Sequence, residues 1–189
     1  TVVMDVDMLV LDNISTMWQD FKKAPSLLFT KSVKTYRNAP ITSRYYRRAF
    51  DDNNLPDAYS GVYQFSKCEE TKAFFVLLDI IMQHWQTFYN KFAPNSRQDW
   101  CSVDLSVAIA LKILDMQGYY LDKSLLTFTH MKSRLQNLNN PPVKWTDTLS
   151  VDFGDNGLYI NGYKQSSVLH YVEDEFLTNN MLAWLEEKV

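Results

Sequence analysis

Three observations predict an α/β fold with a mixed sheet and flanking helices. Short β-branched or aromatic runs alternate with longer stretches of helical apolar spacing through the first two thirds of the chain. The last third carries two alternating runs separated by Gly154-Asp155-Asn156-Gly157, which has the composition of a hairpin turn. A hairpin pairs its strands antiparallel, so the sheet is not the all-parallel one of a doubly wound fold. Finally, 189 residues of which 46% are hydrophobic suffice to bury a full core, and they fit one domain over 1–189 better than two.

The chain enters on TVVMDVDMLVLDN, where Val2 and Val3 begin a strand that delivers Asp5 and Asp7, and a second apolar run follows over 8–11. Side chains on an extended chain repeat every second residue, so these two carboxylates point the same way and can share one divalent cation. Apolar neighbours on both sides leave such a pair poorly solvated unless a metal or a basic group compensates it. The plainer alternative is that both are turn or cap residues at a strand end.

Asp12 or Asn13 then caps a helix whose Ile14, Met17, Trp18 and Phe21 fall on one face, and Pro25 stops it. Residues 26–30 (SLLFT) read as a strand, 31–43 as a polar connection and 45–50 as a short helix. Arg44, Arg47 and Arg48 around that helix are either a solvated face or an anion-facing patch. After the loop 51–57 comes an alternating strand over 58–66 (AYSGVYQFS), in which Gly61 signals a close approach of backbone or ligand. The spacing predicts one long helix over 67–90, with Phe74, Leu77, Leu78, Ile81, Trp85 and Phe88 packed inward and His84 structural at the margin.

Ser102 is an N-cap for a helix over 103–116. Asp104 lies in its first turn, where the helix dipole alone favours a carboxylate. Gly118 ends that helix. Residues 125–129 form a strand that delivers His130 and Lys132 at its carboxyl end, where open α/β sheets place ligands. A loop over 135–146 holds Pro141 and Pro142; strands over 149–153 and 158–163 follow, with a further strand over 168–171 and a closing helix over 178–188.

The formal charge of -3 and pI near 5.6 argue against general nucleic-acid binding, which needs a field of clustered Lys and Arg. Cys68 and Cys101 make neither a disulfide framework nor a zinc spacing, so a reducing cytoplasmic setting is expected. The apolar run 73–82 is interrupted by Asp79 and too short for a transmembrane segment. Because the chain starts directly on a core-type strand, that strand is expected to be a buried parallel one flanked by earlier βα units. The chain would then be the C-terminal part of a longer protein.

Taken in order, Asp5/Asp7 after a strand, Ser60-Gly61 in a strand, Asp104 at a helix start and His130-Met131-Lys132 at a strand end resemble the catalytic half of the GT-A nucleotide-sugar glycosyltransferases. That group includes the glycogenin-like and the bacterial galactosyl- and glucosyltransferases. Its D-x-D step resembles Asp5-Val6-Asp7, its N-S-G-V strand resembles Tyr59-Ser60-Gly61-Val62 with Tyr for Asn, and Asp104 keeps one acid of its D-Q-D. His130-Met131-Lys132 resembles a shortened H-x-x-G-x-x-K-P, and His170 in Leu169-His170-Tyr171 competes with His130 for that place.

The resemblance implies a partial GT-A fold, without the βα units that hold the nucleoside. It implies transfer of a sugar from a nucleoside-diphosphate sugar to a glycan, protein or small-molecule acceptor. Asp5, Asp7 and His130 would hold Mn²⁺ or Mg²⁺; Ser60, Gly61 and Lys132 would bind the donor; Asp104 would be catalytic. Two other readings stand beside it: a catalytically inactive glycan-binding or assembly module of the same fold, and a metal-dependent hydrolase or phosphotransferase using the same aspartates.

Overall fold

A computed structural model describes residues 1–11, 14–22, 26–30, 33–41, 47–96, 98–116, 127–136, 138, 142 and 144–187. The expected caps at Asp12 and Asn13, the stops at Pro25 and Gly118, and Arg44, Leu125 and Pro141 lie outside the described residues. The fold is α/β with antiparallel and mixed sheets, as the sequence predicts, but its described residues cluster into two compact units. Unit 1 comprises 1–4, 18–32 and 43–126; unit 2 comprises 5–17, 33–42 and 127–189. Helix α1 (Ile14–Phe21) runs from one segment into the other.

Unit 1 is built on a three-stranded antiparallel sheet in the order β1 (Val2–Met4), β5 (Tyr59–Phe65), β3 (Leu27–Thr30). β1 is therefore not the buried parallel strand that its composition suggests. It pairs antiparallel with β5, Val2 opposite Gln64 and Met4 opposite Val62, and its three residues are only half-buried. The short helix α2 (Arg48–Asp51) precedes β5.

The apolar stripe of the long helical segment is confirmed, with Phe74 and Ile81 fully buried, but the segment is two helices, α3 (Glu69–Gln83) and α4 (Trp85–Phe92). His84 breaks it by leaving helical backbone, at φ -121 and ψ 32. Beyond the break, the Tyr89 hydroxyl donates to the Ser102 carbonyl at 2.8 Å and accepts from the Ser102 N–H at 2.9 Å. Ser102 caps α5 (Val103–Ile113) as expected, its hydroxyl accepting from the Leu105 N–H. Every residue from 105 to 111 is buried, which suits a helix apolar on nearly all sides. Together with Leu27, Phe29, Phe50 and Phe74, α5 forms the core of this unit.

Unit 2 holds the mixed sheet, in the order β2 (Met8–Val10), β10 (Val168–His170), β6 (Phe128–His130), β4 (Val33–Lys34). β10 runs antiparallel to β2 and parallel to β6, and β6 runs parallel to β4. The connections flanking these strands contain short 3₁₀ turns at Ser133–Leu135, Trp145–Thr148 and Asp174–Phe176.

The C-terminal hairpin is present as β7 (Val151–Gly154) and β8 (Gly157–Ile160), turning through Asp155-Asn156 with Gly157 at φ +108. The expected strand 158–163 does not continue, because Asn161 (φ 48) and Gly162 (φ 79) make a second two-residue turn into β9 (Tyr163–Lys164). An Asn-Gly pair with both φ positive is the favoured short hairpin loop. Thr178 caps the closing helix α6 (Asn179–Glu186) through its hydroxyl. Trp145, Leu158, Ile160, Leu169 and Met181 form the apolar centre of unit 2. Among the described residues, no helix is long and apolar enough to cross a membrane.

Candidate metal centre

The run from β1 to β2 is only Asp5-Val6-Asp7, and it folds as a turn rather than as one continued strand. Val6 at the tip is fully exposed (100%), which no core strand would tolerate. The turn leaves Asp5 exposed and Asp7 half-buried, at the amino end of β2. The Asp7 carbonyl accepts from the Tyr171 N–H at 3.1 Å, extending the β2–β10 ladder past the Met8–His170 pair. This register brings His170 beside Asp7, and the imidazole Nε2 lies 2.8 Å from Asp7 Oδ2.

One ligand atom from each of Asp5, Asp7 and His170 can be chosen so that all three lie within 4.8 Å of one another. Two carboxylates from one turn and one imidazole from the end of β10 are a donor set that could hold a small divalent cation; hard oxygens suit Mg²⁺ or Mn²⁺, and the nitrogen favours Mn²⁺. The carboxylate charge is felt locally. Burial first, and then Asp7 and Asp174, push the Tyr171 phenol above its ordinary range.

His130 stands elsewhere. It is 5% exposed on β6, directly opposite His170 in the parallel register. Its ring stacks on that of His170, with centroids 4.5 Å apart and planes at 15°. The residue the structure gathers with the two aspartates is thus His170, the competing candidate, while His130 packs behind it. Lys132 follows β6 in the same unit, half-buried, as the residue before the Ser133–Leu135 turn.

Ser60 and Asp104 meet in unit 1. The Ser60 N–H and hydroxyl both donate to Asp104 Oδ1, each at 2.7 Å, and Arg47 Nη1 donates to Asp104 Oδ2 at 2.9 Å. Gly61 is the next residue of β5 and half-buried. Arg47 also donates to Asp57 and to the Ala58 carbonyl, and its guanidinium lies 3.8 Å from the ring centres of both Phe50 and Tyr59. Burial lowers the Arg47 pKa, but Asp104 and Asp57 outweigh it and hold the group above the usual arginine value.

Arg47, at 3% exposure, is therefore neither of the two things the sequence offered, a solvated face or an anion-facing patch; its charge is consumed inside the fold. Arg48, by contrast, is exposed and pairs with Asp52 at 3.2 Å. No signal in the sequence singled out Arg47 over Arg48, since its partners Asp57 and Asp104 become neighbours only after folding. Compared with protein-family models, curated proteins and solved structures, the chain has no match in any of the three.

Proposed function

We propose that this chain carries the cation and diphosphate part of a GT-A-type glycosyltransferase, which moves a sugar from a nucleoside-diphosphate sugar to an acceptor. The single observation that supports this reading is the convergence of Asp5 and Asp7, on one turn, with His170 at the end of β10. Glycosyl transfer from such a donor expels a diphosphate, whose growing negative charge must be met in the transition state. A Mn²⁺ or Mg²⁺ bound by the three residues supplies Lewis-acid neutralisation of that charge. In this reading Asp5 and Asp7 bind through oxygen and His170 through Nε2, and the family resemblance assigns Lys132 of the same unit to the diphosphate. Asp104, Ser60 and Gly61 keep their sugar-side roles only through the family resemblance. The two free cysteines suit a reducing cytoplasmic setting.

One observation favours the inactive glycan-binding or assembly module. Both oxygens of Asp104 are already taken by Arg47 and Ser60. The two readings separate in one assay series. Calorimetric titration of Mn²⁺ is expected to show binding to the wild type and none to Asp7→Ala. Any hydrolysis of UDP- or GDP-sugars is expected to need Mn²⁺ and to vanish in the same variant. Equal Mn²⁺ binding by both proteins would remove the cation reading, whereas Mn²⁺ binding without turnover of any donor would favour the module.

A further inference from the structure

We infer that His130 is a positioning residue that holds the His170 ring, by stacking, in the orientation that aims Nε2 at Asp7. The inference rests on the cation reading of the Asp5–Asp7–His170 group and adds a residue to it. A metal-binding histidine ordinarily donates its second ring N–H to a carboxylate or carbonyl, which fixes tautomer and ring plane. His170 lacks that support: its Nδ1 is buried and has no hydrogen-bond partner among the described residues. Its backbone is fixed between β2 and β6, but backbone alone leaves the side-chain torsions free.

Among the described residues, two ring contacts remain to set the plane. Phe128 approaches at 5.9 Å and is tilted by 51°, whereas His130 lies nearly parallel at 4.5 Å. His130 is itself held on both sides of its chain. Its carbonyl accepts from the Gln136 side-chain amide, and its Nδ1 lies 3.5 Å from the Lys132 N–H. The parallel register places His130 and His170 directly opposite, so the stack is enforced by the sheet rather than by chance side-chain placement. A flat, buried ring on a fixed strand thus does the work of the missing hydrogen bond. Any flat ring would serve, which sets His130 apart from a ligand.

Calorimetric Mn²⁺ titrations of the wild type, His130→Ala, His130→Phe and His170→Ala test this, with thermal unfolding of each metal-free protein alongside. His130→Ala is expected to weaken Mn²⁺ binding by about tenfold or more, the usual effect of losing an outer-shell support. His130→Phe is expected to restore it, and His170→Ala to lose the most affinity. Affinity in His130→Ala equal to wild type overturns the positioning role and leaves the cation site standing. Failure of His130→Phe to recover affinity, at an unfolding temperature equal to wild type, overturns it by making the imidazole itself necessary. Absence of Mn²⁺ binding in the wild type overturns the cation reading on which both rest.

Discussion

Among the described residues, two carboxylate clusters are wired in opposite ways. In unit 1, Asp57 and Asp104 face a buried guanidinium, and Ser60 supplies two further donors to Asp104. In unit 2, Asp5 and Asp7 sit on an exposed turn, and the ion-pair partner of Asp7 among the described residues is an imidazole, charged only if protonated. The first arrangement uses up its charges within the protein; the second lies on a turn whose Val6 tip is fully exposed. Counting acids would treat the two as equivalent candidates. What separates them is that the first is built around a buried guanidinium, whereas the second faces an imidazole beside an exposed turn.

Substitutions on each side should therefore differ in kind. The largest effect is expected for Arg47→Met, which takes the buried guanidinium away from Asp57 and Asp104 beside Phe50 and Tyr59; removing one partner of a buried pair costs about 3–5 kcal/mol. Urea unfolding measures this, and a change below about 1 kcal/mol would show that the cluster is as open as a surface pair.

Next comes the cation itself. Mn²⁺ at about 100 times its dissociation constant should stabilise the wild type by about 2.7 kcal/mol. That gain should vanish in Asp7→Ala, as read by thermal unfolding with and without metal. Stabilisation of equal size in both proteins would place the ion elsewhere.

Ser60→Ala should cost about 1–2 kcal/mol, because the Ser60 N–H still donates to Asp104 after the hydroxyl is gone. The same urea measurement tests it, and a cost equal to that of Arg47→Met would make the hydroxyl, rather than the guanidinium, the principal support of Asp104.

The smallest effect concerns alkaline pH. Burial holds the Tyr89 phenol above its ordinary value of 10.0, so its contribution to stability is complete below that pH. It is then lost as pH rises towards the folded value, because the unfolded chain ionises first. Tyr89→Phe should flatten this decline relative to wild type; an unchanged slope would assign the decline to other groups such as Tyr171.

The parts of this fold that were legible in the sequence are the local ones. Ser102 and Thr178 act as caps, and Asp155-Asn156 turns the hairpin, because each needs only its immediate neighbours. Asn161-Gly162 was equally readable from its composition, but the apolar alternation around it favoured one continuous strand. The break at His84 carried no Gly or Pro, so the helical period ran through it. Pairing was not legible: β1 reads as a core strand from its valines, yet its partner and direction depend on β5, some 60 residues away.

The site divides along the same line. Asp5 and Asp7 are adjacent in sequence and could be named at once. The resemblance favours His130 over His170, and nothing local corrects that choice, since both follow apolar strand residues and the two lie opposite one another in the sheet. Only the position of β2 on the far side of β10 decides which ring meets Asp7. Burial of Arg47 likewise needed four residues from three segments to be brought together.

The most direct test of the central claim is the nitrogen coupling of protein-bound Mn²⁺, read by electron spin echo modulation. The Asp5–Asp7–His170 centre predicts one coupled imidazole nitrogen, absent in His170→Ala and retained in His130→Phe. A bound ion with no coupled nitrogen in the wild type, or one whose coupling survives His170→Ala, would contradict it.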